Sequence, residues 1–203
     1  MLVNFQIGLA DQMSTRMHFR KKLPIFAAVI VSFQTFLSAK AAETFVYSGG
    51  CFWCTEADFE SVSGVSEVIS GFTGGTTPSP RYQPGKWGDH REAAQIIYDS
   101  ALISFDDLVN HVYATIDYED SGGQFCDRGH SYSPAIYYQT DEEREIIERL
   151  APTNSVVPIE PETAFYPVRE EQQDYYKKQA FRYKYYRFRC GRDSRLEELN
   201  GDR

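Results

Sequence analysis

The sequence predicts an α+β domain built on a split βαβ core, and three observations carry that prediction. Apolar positions repeat every second residue in some segments and at helical spacing in others. Stretches rich in Gly, Pro, Ser and Asp separate those segments. The composition, 42% hydrophobic with 14 Tyr and 14 Phe, is too rich in core-forming side chains for a disordered chain. At 203 residues the chain is long enough for one well-buried domain.

Residues 44–47 are β-branched and aromatic and stop at Ser48-Gly49-Gly50, after which residues 51–62 carry apolar positions at helical spacing, giving strand, tight turn and helix. Residues 65–72 alternate as a strand, residues 73–84 form a loop rich in breakers, and residues 93–98 read as the next strand. Ser104 is placed to cap a helix over 105–115, with Asp107 as an acidic variant of the capping box. A polar, Gly-rich stretch over 117–133 leads to a short strand at 134–138. Thr140 caps a charged helix over 141–150, whose Ile146, Ile147 and Leu150 make one buried stripe, and 156–159 is the last strand candidate. The order β-α-β-β-α-β is that of a ferredoxin-like fold, followed here by additional C-terminal elements. From Glu170 onward the chain is polar and aromatic and reads as a mobile C-terminal tail. It shows no internal repeat and no interdomain linker.

The first 42 residues stand apart as an N-terminal extension and signal peptide, with the domain over 43–203. Arg20, Lys21 and Lys22 precede an apolar run over 23–37, and small residues follow, with Ala39 and Ala41 in an Ala-x-Ala pattern. That order matches a signal peptide cleaved after Ala41 or Ala42, and Met17 makes a more natural start for it than Met1. The alternative is an uncleaved anchor, but an apolar run of about 15 residues is short against the roughly 20 that span a bilayer. The expectation is an exported protein, periplasmic or secreted. Its net charge of -8 argues against a phosphate backbone as partner.

The mature part holds four cysteines, Cys51, Cys54, Cys126 and Cys190. An oxidising compartment permits disulfides, structural or catalytic. Cys51 follows a strand and a Gly pair and opens a helix, where unpaired N–H groups and the helix dipole favour a thiolate; the bland alternative is an inert buried cysteine. Phe52 and Trp53 are either core or an apolar cup beside that nucleophile. The Cys51-x-x-Cys54 spacing alone also permits a redox dithiol or half of a zinc site, but no second pair of ligands completes a tetrahedron and no Gly loop suits a nucleotide.

Read together, Gly50-Cys51-Phe52-Trp53-Cys54-Thr55-Glu56, Gly71-Phe72-Thr73-Gly74-Gly75, His90-Arg91-Glu92, Asp127-Arg128-Gly129-His130-Ser131-Tyr132 and Phe165-Tyr166-Pro167 resemble the A-class peptide-methionine-sulfoxide reductase family. The segments come in that family's order and run from about Thr44 to Cys190.

The resemblance implies reduction of methionine S-sulfoxide in proteins as repair of oxidative damage, and leaves open whether the free amino acid is also a substrate. It makes Cys51 the nucleophile that leaves as a sulfenic acid, reset through a disulfide. Phe52 and Trp53 match the pocket for the S-methyl group. Glu92 matches the acid that protonates the departing oxygen, a role that needs a partly dry pocket. Tyr82, Asp127 and Tyr132 match residues that hydrogen-bond the oxygen or order the pocket. No bound cofactor or metal is implied; an external dithiol such as a thioredoxin-like protein returns the electrons, and a monomer is expected.

The chain departs from the family pattern at three places. Lys86-Trp87-Gly88-Asp89-His90 replaces the usual Gly-x-Thr-Gly-His, Cys54 stands where Gly is frequent, and Cys126 where Asn is frequent. Two readings stay open for the last two: Cys54 pairs with Cys126, or Cys54 is the resolving thiol. Cys190 is the first choice for the resolving cysteine, because family members commonly place theirs near the C-terminus. A thiol on a flexible arm reaches a sulfenic acid without distorting the core. Two competing functions are a general thiol-disulfide oxidoreductase using Cys51 and Cys54, and an exported binding domain stapled by all four cysteines.

Overall fold

The computed structural model describes residues 42–83 and 87–201, so the signal-peptide reading lies outside the described residues. Strand β1 (Glu43–Ser48) leads through the Gly49-Gly50 turn to helix α1 (Phe52–Phe59). Strands β2 (Val65–Thr73) and β3 (Arg91–Tyr98) follow, then helix α2 (Phe105–Thr115), in which Ser104 and Asp107 form the expected capping box. A small ribbon of β4 (Gly123–Gln124) and β5 (Asp127–Arg128) precedes strand β6 (Ala135–Tyr138) and helix α3 (Asp141–Leu150), capped by Thr140. Strands β7 (Ile159–Pro161) and β8 (Tyr166–Pro167) and helices α4 (Tyr175–Lys178), α5 (Ala180–Arg189) and α6 (Arg192–Gly201) complete the chain.

The sheet runs β7-β6-β1-β3-β2-β8. Its four inner strands give the antiparallel split βαβ arrangement, as expected for an α+β ferredoxin-like core. The strand expected over 156–159 forms at Ile159–Pro161 instead, because Pro158 has no N–H to give and its carbonyl accepts from the Ile136 N–H. Successive residues of each strand face opposite sides. Phe45, Tyr47, Ala94, Ile96 and Ile136 therefore enter the main core against α1, α2 and α3, while Val46, Ala93, Ala135 and Tyr137 form a second layer under Phe165.

The C-terminal segment is helical and packs on the core. Arg192 is 2% exposed. Its guanidinium donates to Asp58 on α1 at 2.7 Å, to the Thr115 carbonyl at 2.6 Å and to the Gly49 carbonyl at 3.4 Å. Leu196 and Leu199 of α6 are buried beside it, and Arg195 reaches Asp117 at 2.8 Å. The Glu56 carboxylate accepts from the Asp174 N–H at 2.8 Å, which ties the segment before α4 onto α1. Among the described residues no helix is long and apolar enough to cross a membrane.

Candidate active site

Antiparallel pairing places the end of β1 beside the start of β3, so Cys51 and Glu92 meet although they are 41 positions apart in the sequence. The turn that delivers Cys51 requires glycine: Gly50 has φ +86°, and a Cβ there would lie 2.5 Å from Gln124 Cβ. Cys51 is the N-cap of α1 and is 7% exposed. Its side chain makes no capping bond; the first free N–H, on Phe52, goes to Glu92 Oε2 at 3.1 Å.

That bond fixes a buried carboxyl beside the nucleophile. Burial pushes the Glu92 carboxyl up to about 8, with the Phe52 N–H opposing and the charge of Asp127 adding. Glu92 is therefore a protonated acid near neutral pH. Tyr82 and Tyr132 are raised first by burial and then by the charge of Glu92, which places both phenols near that carboxyl; Tyr82 also packs on the Phe52 and Trp53 rings. Asp127 is half-buried, raised by burial, and accepts from the Tyr186 hydroxyl.

The two free cysteines are adjacent. Positions 51 and 54 are one helical turn apart, and both cysteines are free, buried and packed in one cluster with Tyr183. Burial pushes the Cys51 thiol well up, and the neighbouring Cys54 sulfur adds to this. Cys54 is pulled down by the hydrogen bond from Cys51, helped by the Arg192 cation against burial. Of the two thiols, Cys54 is thus the more readily ionised. The first helix N–H goes to Glu92 rather than to the Cys51 sulfur.

The apolar wall is broader than Phe52 and Trp53. Phe52 is fully buried and packs on Phe72 and Tyr82 at ring separations of 5.8 and 5.4 Å. Trp53 is half-buried, stacks on Tyr175 at 3.8 Å, meets Tyr186 edge-on, and donates its indole N–H to Gln172 at 3.2 Å. Tyr175, Tyr186 and Gln172 escaped the sequence reading, although the crowding of aromatics after Glu170 was their signal.

Asp89 and His90, just before Glu92, are tied to residues 75–77 by hydrogen bonds. Asp89 accepts from the N–H and hydroxyl groups of both Thr76 and Thr77, which hold its carboxylate well below the usual range. The Gly75 N–H donates to His90 Nδ1, so Nε2 carries the proton given to the Thr77 carbonyl at 2.7 Å.

Cys51, Phe52, Trp53, Tyr82, Glu92, Asp127 and Tyr132 are thus brought together. Cys190 is not free: it forms a disulfide with Cys126. The Cys54–Cys126 pairing is therefore absent here, since Cys54 is held at the start of α1 beside Cys51 while α5 carries Cys190 to Cys126. A binding domain with all four cysteines paired is likewise excluded for this state. Among the described residues, two clusters have spacing suited to a metal. The sulfurs of Cys126 and Cys190 are bonded to one another, and the Lys177 ammonium already sits on Glu60 and Asp174 beside Glu56.

A cysteine pair at a helix start, a protonated carboxyl against it and uncharged phenol donors around it define a thiol-dependent oxidoreductase. The family model described as peptide methionine sulfoxide reductase matches residues 43–203. The chain is 40% identical over 176 residues to the peptide methionine sulfoxide reductase MsrA 2 of Rhizobium meliloti, covering 82% of this chain and 89% of that protein. It is 38% identical over 195 residues to the MsrA 2 of Caulobacter vibrioides, covering 90% and 99%. The structure of methionine sulfoxide reductase A of Corynebacterium diphtheriae superposes with a TM-score of 0.62 at 28% identity, over 70% of this chain and 77% of that one. The reduced form of Mxr1 from Saccharomyces cerevisiae shares the fold, with a TM-score of 0.60 at 23% identity over 69% and 87%. The chain belongs to the peptide methionine sulfoxide reductase family and is an oxidoreductase that reduces methionine sulfoxide.

Proposed function

We propose that Cys51 and Glu92 carry out this reduction on the S epimer, in proteins and as the free amino acid. The observation that carries the assignment is the bond from the Phe52 N–H to Glu92 Oε2, which holds a protonated carboxyl next to the Cys51 sulfur. Cys51 Sγ attacks the sulfoxide sulfur and passes its proton to the Cys54 thiolate, while Glu92 protonates the oxygen. Tyr82 and Tyr132 donate to that oxygen without adding charge. Asp127, held by Tyr186, orders the pocket, and Trp53 receives the S-methyl group against Phe52. Collapse releases methionine and leaves Cys51 as a sulfenic acid.

Cys54 then replaces Cys190 as the first resolving thiol. Its sulfur attacks the sulfenic acid, forming a Cys51–Cys54 disulfide and releasing water, and it is already in contact with Cys51 while Cys190 is bonded to Cys126. Exchange with the reduced Cys126/Cys190 pair carries the oxidation outward to the disulfide seen here. An external thioredoxin-like dithiol reduces that pair. The basic, apolar and Ala-x-Ala pattern over residues 20–42 supports export to an oxidising compartment, where the monomer repairs oxidised proteins.

The test is disulfide mapping by mass spectrometry after one equivalent of a capped methionine S-sulfoxide is added to fully reduced protein. Cys190→Ser should yield Cys51–Cys54, and Cys54→Ser should accumulate Cys51 sulfenic acid trapped by dimedone. A Cys51–Cys190 disulfide formed as fast in Cys54→Ser as in the parent would restore Cys190 as the first resolving thiol.

A further inference from the structure

Helix α5 has two unlike faces. Tyr183 and Tyr186 turn inward to the cluster around Cys51, Cys54 and Trp53. Phe181, Tyr185 and Phe188, spaced at i, i+4 and i+7, lie together on the opposite face and are 85%, 62% and 79% exposed. A contiguous row of bare aromatics on one helix marks an interaction surface. Exposed Arg182, Lys184 and Arg189 border it, and none of them has an ion-pair partner among the described residues. This basic rim belongs to a chain whose net charge is -8.

The row ends at a redox group. Cys190 caps α5 two residues after Phe188, and its disulfide partner Cys126 is exposed. Cys51 and Cys54, by contrast, are 7% and 2% exposed, out of reach of a thiol carried on the surface of a folded protein. A macromolecular reductant can therefore meet only the outer disulfide.

We propose that the Phe181–Tyr185–Phe188 face of α5 is the docking site for a protein dithiol with an acidic rim, and that this dithiol attacks Cys126. The proposal rests on the reductase reading, because it supplies that enzyme's electrons. In the first step one partner thiolate bonds to Cys126 Sγ, the Cys126–Cys190 bond breaks, and Cys190 leaves as a thiolate that takes up a proton. The second partner thiol then attacks the mixed disulfide and releases Cys126. The partner ends as a disulfide, and Cys126 and Cys190 end as two thiols.

The experiment compares two reductants with wild type and with the Phe181→Ser/Phe188→Ser double variant, using a capped methionine S-sulfoxide. One is a bacterial thioredoxin with its reductase and NADPH, and the other is dithiothreitol. The double variant should raise the KM for thioredoxin roughly 10-fold or more, as expected for loss of two aromatic anchors. Turnover with dithiothreitol should be unchanged. In a second arm, Arg182→Glu/Arg189→Glu should lower kcat/KM for thioredoxin and flatten its dependence on salt.

An unchanged thioredoxin KM in the double variant overturns the docking site, as does an equal loss with dithiothreitol, which would make the face structural. Failure of thioredoxin to support wild-type turnover that dithiothreitol does support also overturns it. A wild-type dimer dissociated by the double variant, seen by light scattering, would assign the face to a second copy instead. No wild-type turnover with dithiothreitol would refute the reductase reading itself, a distinct outcome.

Discussion

Replacing Glu92 with Gln should flatten the dependence of stability on pH while removing most of the activity. Gln retains the size of the side chain and an oxygen to accept from the Phe52 N–H, and it removes only the titration. Burial raises the Glu92 carboxyl from 4.5 to about 8 in the folded protein. Below pH 4.5 the group is neutral folded or unfolded, so its contribution to stability is fully present there. As pH rises, the unfolded chain ionises first and unfolding is favoured, until the folded carboxyl also ionises near 8. At about 1.4 kcal/mol per unit, the wild type should lose about 3 kcal/mol more than Glu92→Gln between pH 5 and pH 8. The other groups with shifted titration are present in both proteins and largely cancel in the difference. Urea unfolding of both proteins at the two pH values, with the Cys126–Cys190 disulfide intact, measures this directly. Parallel loss of stability in the two proteins would refute the buried, protonated Glu92. Loss of the general acid should also lower kcat by about 100-fold or more, and wild-type kcat/KM should decline above about pH 8, where Glu92 ionises.

Tyr132→Phe removes one donor to the sulfoxide oxygen and should reduce kcat roughly 100-fold with little change in KM, read from steady-state kinetics. Arg192→Met leaves the Thr115 and Gly49 carbonyls without their donor and Asp58 short of one cation. It should lower stability in urea by about 3 kcal/mol or more, whereas Arg195→Met at the more exposed pair with Asp117 should lose less. Gly50→Ala must hold φ +86° and crowd Gln124, so it should destabilise the turn by about 1 to 3 kcal/mol and displace Cys51, with activity falling alongside stability.

The parts of the fold legible in the sequence were those set by local chemistry. The Ser104 and Thr140 caps and the Gly49-Gly50 turn after β1 are each decided within a few residues, and each formed where the pattern placed it. The C-terminal region was illegible for a definite reason. Arg187, Arg192 and Arg195 look like solvated surface, yet their carboxylate partners Asp58 and Asp117 lie 78 or more positions away. Only the folded chain shows that these pairs dock the last helices. The same long-range packing explains the thiols. Adjacency of Cys51 and Cys54 follows from one helical turn, but the Cys126–Cys190 pairing spans 64 residues and depends on how α5 lies on the core. At Cys51 the helix N–H that a local reading offers to the sulfur goes instead to Glu92, a residue from another strand.

The central claim is that Cys51 is the atom that takes oxygen from methionine sulfoxide. Its most direct test is turnover of the S and R epimers of a capped methionine sulfoxide with dithiothreitol, for the wild type and for Cys51→Ser. The account predicts turnover of the S epimer alone, abolished in Cys51→Ser. Turnover that survives in Cys51→Ser, or that does not distinguish the epimers, would contradict it.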